Sequence, residues 1–290
     1  MPSIPLAARI GAIRESASVA AAQRVRELRA SGVEIVDFTI GEPDLDTPAH
    51  VKDAAKAAID AGLTKYTPVT GIPALRDAIL AKAEARTGVP YAPDQVTLGG
   101  GAKQVIFLAL MATVEAGVEV IVPAPYWVSY PDMVLAHGGR PVIVPCEASD
   151  GFLLTGAALE AAITPATRWV ILNVPGNPSG AVYDAAGLAE LAAVLDRHPH
   201  VHVLADDIYD EITYGDQPIP HLLRVAPHLA DRVLVVNGVS KSYAMTGWRI
   251  GYATGERTLI GAINKLQSQS SSCPASVSQA AAAEALTGDQ

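Results

Sequence analysis

Two cations stand eight positions apart in the stretch NGVSKSYAMTGWRIGYATG, residues 237–255: Lys241, flanked by serines, and Arg249. The stretch follows an apolar run, RVLVVN, so Lys241 stands at the mouth of a buried strand. A lysine there is either a solvated loop residue or an amine nucleophile whose pKa burial has lowered. Other reactive types also follow apolar runs. Asp206 and Tyr209 close the run VHVLAD and its sequel DIYDEI. A carboxylate at that place costs desolvation unless it meets a cation or several donors. The plain alternative is a helix-capping aspartate with a packed tyrosine. Asn177 follows RWVILN within VPGNPSG, and Pro178 pushes it out of the helical region. A rigid turn there either aims the amide at a ligand or is only a turn. Gly99, Gly100, Gly101, Ala102 and Lys103 follow DQVTL and open a helix. Free backbone N–H groups and the helix dipole would seat a phosphate. A tight turn packing helix on strand has the same composition.

These residues need elements that bring strand ends together. Residues 20–32 read as a helix stopped by Gly32, and VEIVDFTIG, residues 33–41, reads as a strand ending on Gly41. Residues 46–62 read as a helix capped by Asp46 or Thr47, with Pro48 in its first turn and Val51, Ala55, Ala58 and Ile59 on one face. PALRDAILAKAEARTG is a second helix ending at Gly88. From there short β-branched runs alternate with helices: DQVTL, VEVIVP, RPVIVP, RWVILN, VHVLAD, RVLVVN and RIGYAT, with YDAAGLAELAAVLDRH among the helical segments. Apolar runs without strict alternation are buried on both faces, as in a mostly parallel sheet. The class is α/β, and in such sheets ligands bind at the carboxyl ends of the strands.

Taken together, the residues at those ends fit one chemistry. A phosphate seat, an arginine for the same phosphate, an amine, a carboxylate and two neutral hydrogen-bonding groups are what a pyridoxal phosphate site needs.

Composition removes other classes. The chain has 290 residues, 50% hydrophobic and 18% charged, enough for a large core. A net charge of −9 argues against non-specific nucleic-acid binding, which needs a cationic face. Cys146 and Cys273 are far apart, without disulfide or zinc spacing. His198, His200 and His202 alternate where a helix runs into a strand, and read as a surface turn rather than a metal site. No signal-peptide stretch and no membrane span is evident, so the expected location is the cytoplasm, with no membrane partner.

The stretches IGEPDLDTP, KYTPVTGIPALR, GGGAKQVIF, PAPYWVSYPDMV, NPSG, ADDIYDEI and SKSYAMTGWRIGY occur in the order found in one family. Over about residues 30 to 285 the chain closely resembles the class I aminotransferases of pyridoxal phosphate fold type I, in their bacterial aspartate aminotransferase branch. The resemblance implies a mixed, mostly parallel seven-stranded sheet sandwiched by helices. It also implies residue roles. Lys241 would join the aldehyde of pyridoxal 5′-phosphate and carry the proton of the reaction. Asp206 would pair with the ring nitrogen, Tyr209 and Asn177 would bond the ring hydroxyl, and Trp127 would stack on the ring. Gly101, Ala102 and Lys103 would seat the phosphate with Ser240 and Arg249. Gly41 would let substrate approach, with Trp127 and Asn177 beside it. Tyr66 would reach the neighbouring subunit's site, which implies a homodimer. Cis bonds are expected at Ala124–Pro125 and Asn177–Pro178.

The implied reaction moves the amino group of aspartate, or a similar amino acid, to 2-oxoglutarate. Prephenate or aromatic transamination, β-elimination, and a cofactor-binding module without turnover are alternatives on the same scaffold. The implied division is an N-terminal arm with part of a small domain, residues 1–45, and a large cofactor-binding domain, residues 46–290. Family members continue past the point where this chain stops, and that later part carries an arginine for the substrate α-carboxylate. On this reading the small domain is incomplete, and the chain is expected to bind cofactor but transaminate poorly.

Overall fold

Apolar runs that look unbroken in the sequence divide residue by residue between the two faces of one sheet. In the run 168–173, Trp169 and Ile171 pack with one core cluster while Val170 and Leu172 pack with another. Val203 and Ala205 likewise oppose Leu204. Each face is covered, so both alternating sets are apolar, which is why the runs show no polar alternation. The computed structural model describes residues 4–215 and 218–290.

The strands are β1 (Val96–Gly99), β2 (Glu119–Ala124), β3 (Arg140–Pro145), β4 (Thr167–Asn173), β5 (His202–Asp206), β6 (Val233–Gly238) and β7 (Gly251–Thr254). They form a seven-stranded sheet in the order β1-β7-β6-β5-β4-β2-β3. All neighbours are parallel except β7, which runs antiparallel to both β1 and β6. The helices are α1 (Ala17–Ala30), α2 (Ala49–Asp60), α3 (Pro73–Thr87), α4 (Ala102–Thr113), α5 (Ser129–Ala136), α6 (Gly156–Ala162), α7 (Ala185–Arg197), α8 (Leu222–Val225), α9 (Arg257–Ser268) and α10 (Ser276–Thr287). One face of the sheet packs against α4, α5 and α9, the other against α6, α7 and α8. A third cluster joins α2, α3 and α10 to the β1–β7 edge. The expected α/β class and mixed sheet are what the structure contains.

Several local expectations need correction. Residues 33–41 form no strand. The Asp37 carboxylate accepts the Thr39 N–H at 2.9 Å and the Thr39 hydroxyl at 2.7 Å, a local turn that competes with ladder pairing. Among the described residues no strand lies alongside, and Phe38 is 90% exposed. The α2 cap is neither Asp46 nor Thr47: Pro48 holds the position without a side-chain bond. The Thr47 hydroxyl instead donates to Ala244 O (2.6 Å) and accepts from Trp248 Nε1 (3.0 Å), tying the start of α2 to the segment after Lys241. Val51, Ala55 and Ala58 are buried as expected, but Ile59 lies past the edge of the narrow stripe and is exposed. Ala124–Pro125 and Asn177–Pro178 are cis as expected; Val174–Pro175 is also cis and was not foreseen. The first three residues of the expected arm lie outside the described residues.

Candidate active site

Strand direction decides which residues meet. The parallel strands β2, β4, β5 and β6 all end at one edge of the sheet. Because β7 is antiparallel, its first residue lies at that same edge: Gly251 pairs with Gly238 at the end of β6 and with Gly99 at the end of β1. Thus Arg249, just before β7, comes beside the glycine turn before α4, and Lys241, just after β6, comes beside the turn after β5.

The turn before α4 is shaped for close approach. Gly101 has φ +98, and a Cβ there would sit 2.3 Å from Arg249 Nη2. Arg249 donates to Gly100 O at 3.2 Å and to Thr246 O at 2.7 Å. It is itself a non-glycine residue at φ 60, a conformation that costs energy and persists only where the surroundings fix it. The first N–H groups of a helix have no intrahelical acceptor. Among the described residues those of Ala102 and Lys103 find none, while the N–H of Gln104 goes to Gly101 O. A guanidinium and a helix N-terminus therefore converge with no anion among the protein's own groups at that point. That geometry can hold a phosphate. The Lys103 ammonium lies 4.6 Å from the ring centroid of Trp127, and burial, with the Arg249 charge second, lowers its pKa.

Asp206, the last residue of β5, is buried. Tyr130 donates its hydroxyl to Asp206 Oδ2 at 2.6 Å, and the Ile208 N–H reaches Oδ1 at 3.3 Å. Burial pushes the Asp206 carboxyl up to about 6; these two donors pull the other way, and Asp207 adds to the rise. The carboxylate is held in place, and among the described residues no cation pairs with it. The neighbouring Asp207 turns to a different set of partners, Arg86 and His221. Asn177 donates from Nδ2 to the Tyr209 hydroxyl at 3.0 Å, and its own N–H is held by Asn173 Oδ1 at 2.8 Å. Asn173 in turn donates to Asp206 O at 2.9 Å, so the β4 and β5 ends are locked together.

Lys241 is half-buried. Its Nζ donates to Gly41 O and lies 6.0 Å from the Tyr209 ring centroid. Burial lowers its pKa, Glu42 opposes that shift, and Arg249 adds to it. Ser240 is buried beside it. Trp127 sits after β2, edge-on to Tyr130 with centroids 5.2 Å apart.

The structure thus gathers Gly41, Gly101, Ala102, Lys103, Trp127, Asn177, Asp206, Tyr209, Ser240, Lys241 and Arg249 at one edge. Tyr66 stands apart, 92% exposed in the loop between α2 and α3. A Cβ at Gly41 would meet nothing within 4 Å, so the chain's own packing does not require glycine there. Tyr130 and Asn173 were missed in the sequence. A tyrosine in the first turn of a helix reads as core, and only strand order places it on Asp206. His198 Nε2 meets Glu160 Oε1 at 2.8 Å, His200 meets Thr164 O, and His202 packs on Trp169. Among the described residues no cluster could hold a metal ion. No helix there is long and apolar enough to cross a membrane.

Residues 33–290 match the family described as aminotransferase class I and II. The aspartate/prephenate aminotransferase of Cereibacter sphaeroides is 52% identical over 96% of this chain and 70% of its own length. The aspartate aminotransferase of Rhizobium meliloti is 50% identical over 98% of this chain and 69% of its own. A crystal structure of the Rhizobium meliloti enzyme superposes with a TM-score of 0.96, covering 99% of this chain and 72% of that one. The Thermus thermophilus aspartate aminotransferase with maleate does so at 0.93 and 41% identity, covering 98% and 73%. With the family match, these relatives and the sheet order in agreement, this chain belongs to the class I and II aminotransferases and is a transaminase.

Proposed function

We propose that the strand-end site holds pyridoxal 5′-phosphate and moves the amino group of aspartate, or a similar dicarboxylic amino acid, to 2-oxoglutarate. The observation that carries this reading is the convergence of Lys241, Asp206, Tyr209, Asn177 and Arg249 at the ends of β4, β5 and β6 and the start of β7. The residues suit the cofactor. Arg249 and the free N–H groups of Ala102 and Lys103 suit its phosphate, with Ser240 nearby, and Gly101 leaves room for it. Asp206, buried with no cation among the described residues, suits a protonated ring nitrogen. Tyr209 and Asn177 suit the ring hydroxyl, and Trp127 offers a face to the ring. When bound, the cofactor supplies an aldehyde for amines and a ring that takes up an electron pair from the substrate α-carbon.

The chain's own groups do the rest. Lys241, with its pKa lowered by burial, offers more free amine near neutral pH than a surface lysine. It can therefore act as a nucleophile and hold or pass a proton at Nζ. Tyr130 and the Ile208 N–H fix the Asp206 carboxylate in one orientation. Asn177 fixes the Tyr209 hydroxyl. A dicarboxylic substrate is supported by the relatives' names and by maleate, a dicarboxylate, in the Thermus structure. Prephenate, a second 2-oxo dicarboxylate, is supported as an acceptor by the Cereibacter relative.

We further propose a homodimer in which Tyr66 of each copy reaches the other's site, with residues 1–45 as an arm and part of a small domain beside a large cofactor-binding domain of residues 46–290. The two free cysteines suit a reducing cytoplasm. The test is to load the purified chain with pyridoxal phosphate, add aspartate, and follow the visible spectrum and oxaloacetate. The reading expects oxaloacetate in step with loss of the visible band, and its reversal by 2-oxoglutarate. A bound cofactor whose spectrum no dicarboxylic amino acid changes would contradict it.

A further inference from the structure

The turn after β5 has two sides. Asp206 and Tyr209 face the site, while their neighbours Asp207 and Asp210 are buried in a separate polar cluster that the proposed chemistry does not use. Arg86, from α3, lies with Nε 3.5 Å from Asp207 Oδ2 and 3.5 Å from Asp210 Oδ2. His221 is 3% exposed. Its Nδ1 accepts the Leu223 N–H at 3.0 Å, and Nε2 lies 3.2 Å from Asp207 Oδ2, at ion-pair distance but outside hydrogen-bond alignment. Asn237, on β6, donates from Nδ2 to Asp210 Oδ2 at 2.9 Å, and its Oδ1 takes the N–H of Gly238 at 2.7 Å. The backbone follows the same path: Asp207 N–H bonds Val236 O and Asp210 N–H bonds Asp207 O, each at 2.9 Å.

Two buried carboxylates sharing one permanent cation are a costly way to fill a core, since apolar side chains of equal volume are often as stable or more so. What the cluster provides is direction. Each carboxylate sits one residue from a site group, and Asn237 sits on the strand that leads to Lys241. We infer that Arg86, Asp207, Asp210, His221 and Asn237 form a positioning unit, which fastens the turn carrying Asp206 and Tyr209 to the strand carrying Lys241 and so sets their spacing. The inference rests on the reading of Lys241, Asp206 and Tyr209 as cofactor-binding groups. Burial, with Asp207 second, pushes the Asp210 carboxyl up to about 6, against the pull of Arg86 and Asn237.

The test compares the full chain with Asp210→Ala and Asp210→Asn, each loaded with pyridoxal phosphate. Two readouts are taken, cofactor affinity and the pH midpoint of the visible band of cofactor bound to Lys241, beside a thermal melt. Asp210→Ala removes the acceptor for Asn237 and is expected to weaken affinity about tenfold, in line with the cost of a small misplacement. It is also expected to shift the midpoint by about one unit as the neighbours of the lysine move. Asp210→Asn keeps an acceptor oxygen and is expected to stay near the parent. A folded Asp210→Ala chain with the parent's midpoint and affinity, changed only in melting temperature, would overturn the inference. Should that variant not fold, Asn237→Ala removes the donor of the same bond and is read the same way. A parent chain that takes no cofactor on Lys241 would sink the site reading instead, so the two failures are distinguishable.

Discussion

At Asp206 burial opposes charge, and the sign of that conflict can be measured. Its folded pKa of about 6 stands above the ordinary 3.8. Between those values the folded chain binds more protons than the unfolded one, so stability falls as pH rises. A rise of about two units corresponds to roughly 3 kcal/mol, fully present below pH 4 and lost above pH 6. In the cofactor-free chain, Asp206→Asn should therefore gain on the parent by roughly 2–3 kcal/mol between pH 4 and 7 in urea melts. Saturating cofactor should reverse that trend, since a cation facing Asp206 favours its ionised form. Asp210 shifts the same way but is present in both chains. An unchanged difference across pH would show that Asp206 is not the group in conflict. Gly101 gives a second residue-scale prediction. Gly101→Ala places its Cβ on Arg249 Nη2 at a left-handed backbone position, so the arginine must leave the turn. Cofactor affinity should fall at least about tenfold, about 1.4 kcal/mol, by spectral titration.

At the scale of elements, α10 packs its alanines on α2 and α3, and Gln279 adds polar ties to the loop between those helices. Gln279 is fully buried, accepts the Ile72 N–H at 2.8 Å, and donates to Thr67 Oγ1 at 2.9 Å and Pro274 O at 2.8 Å. Those bonds hold the loop that bears Tyr66. Gln279→Ala leaves buried partners unpaired and should cost about 2–4 kcal/mol, read as a lower urea midpoint with unchanged slope. The sequence gives no sign of this role, because a glutamine in an alanine-rich helix reads as surface. The inner strands are legible because burial on both faces leaves an unbroken apolar run; the edge strand β3 keeps the run although Ile143 is exposed. Residues 33–41 carry the same composition and form no strand, because pairing depends on a neighbour that composition does not report. Lys241, Asp206 and Asn177 are legible because the apolar runs before them mark strand ends, and Arg249 because it opens the next run. Tyr130, Asn173 and the Arg86 cluster are not, because their partners lie on elements distant in sequence and are joined only by strand order.

For the molecule as a whole, the proposed dimer predicts a two-chain mass in sedimentation of the cofactor-loaded protein; a monomer would remove the role proposed for Tyr66. The central claim, that this chain holds pyridoxal phosphate through Lys241, has a more direct measurement. The loaded chain is reduced with borohydride, digested, and the peptides weighed. We predict the reduced cofactor on the peptide carrying Lys241, and its loss in Lys241→Ala with the fold retained. The same mass on Lys103 or Lys265, or on no peptide, would contradict the account.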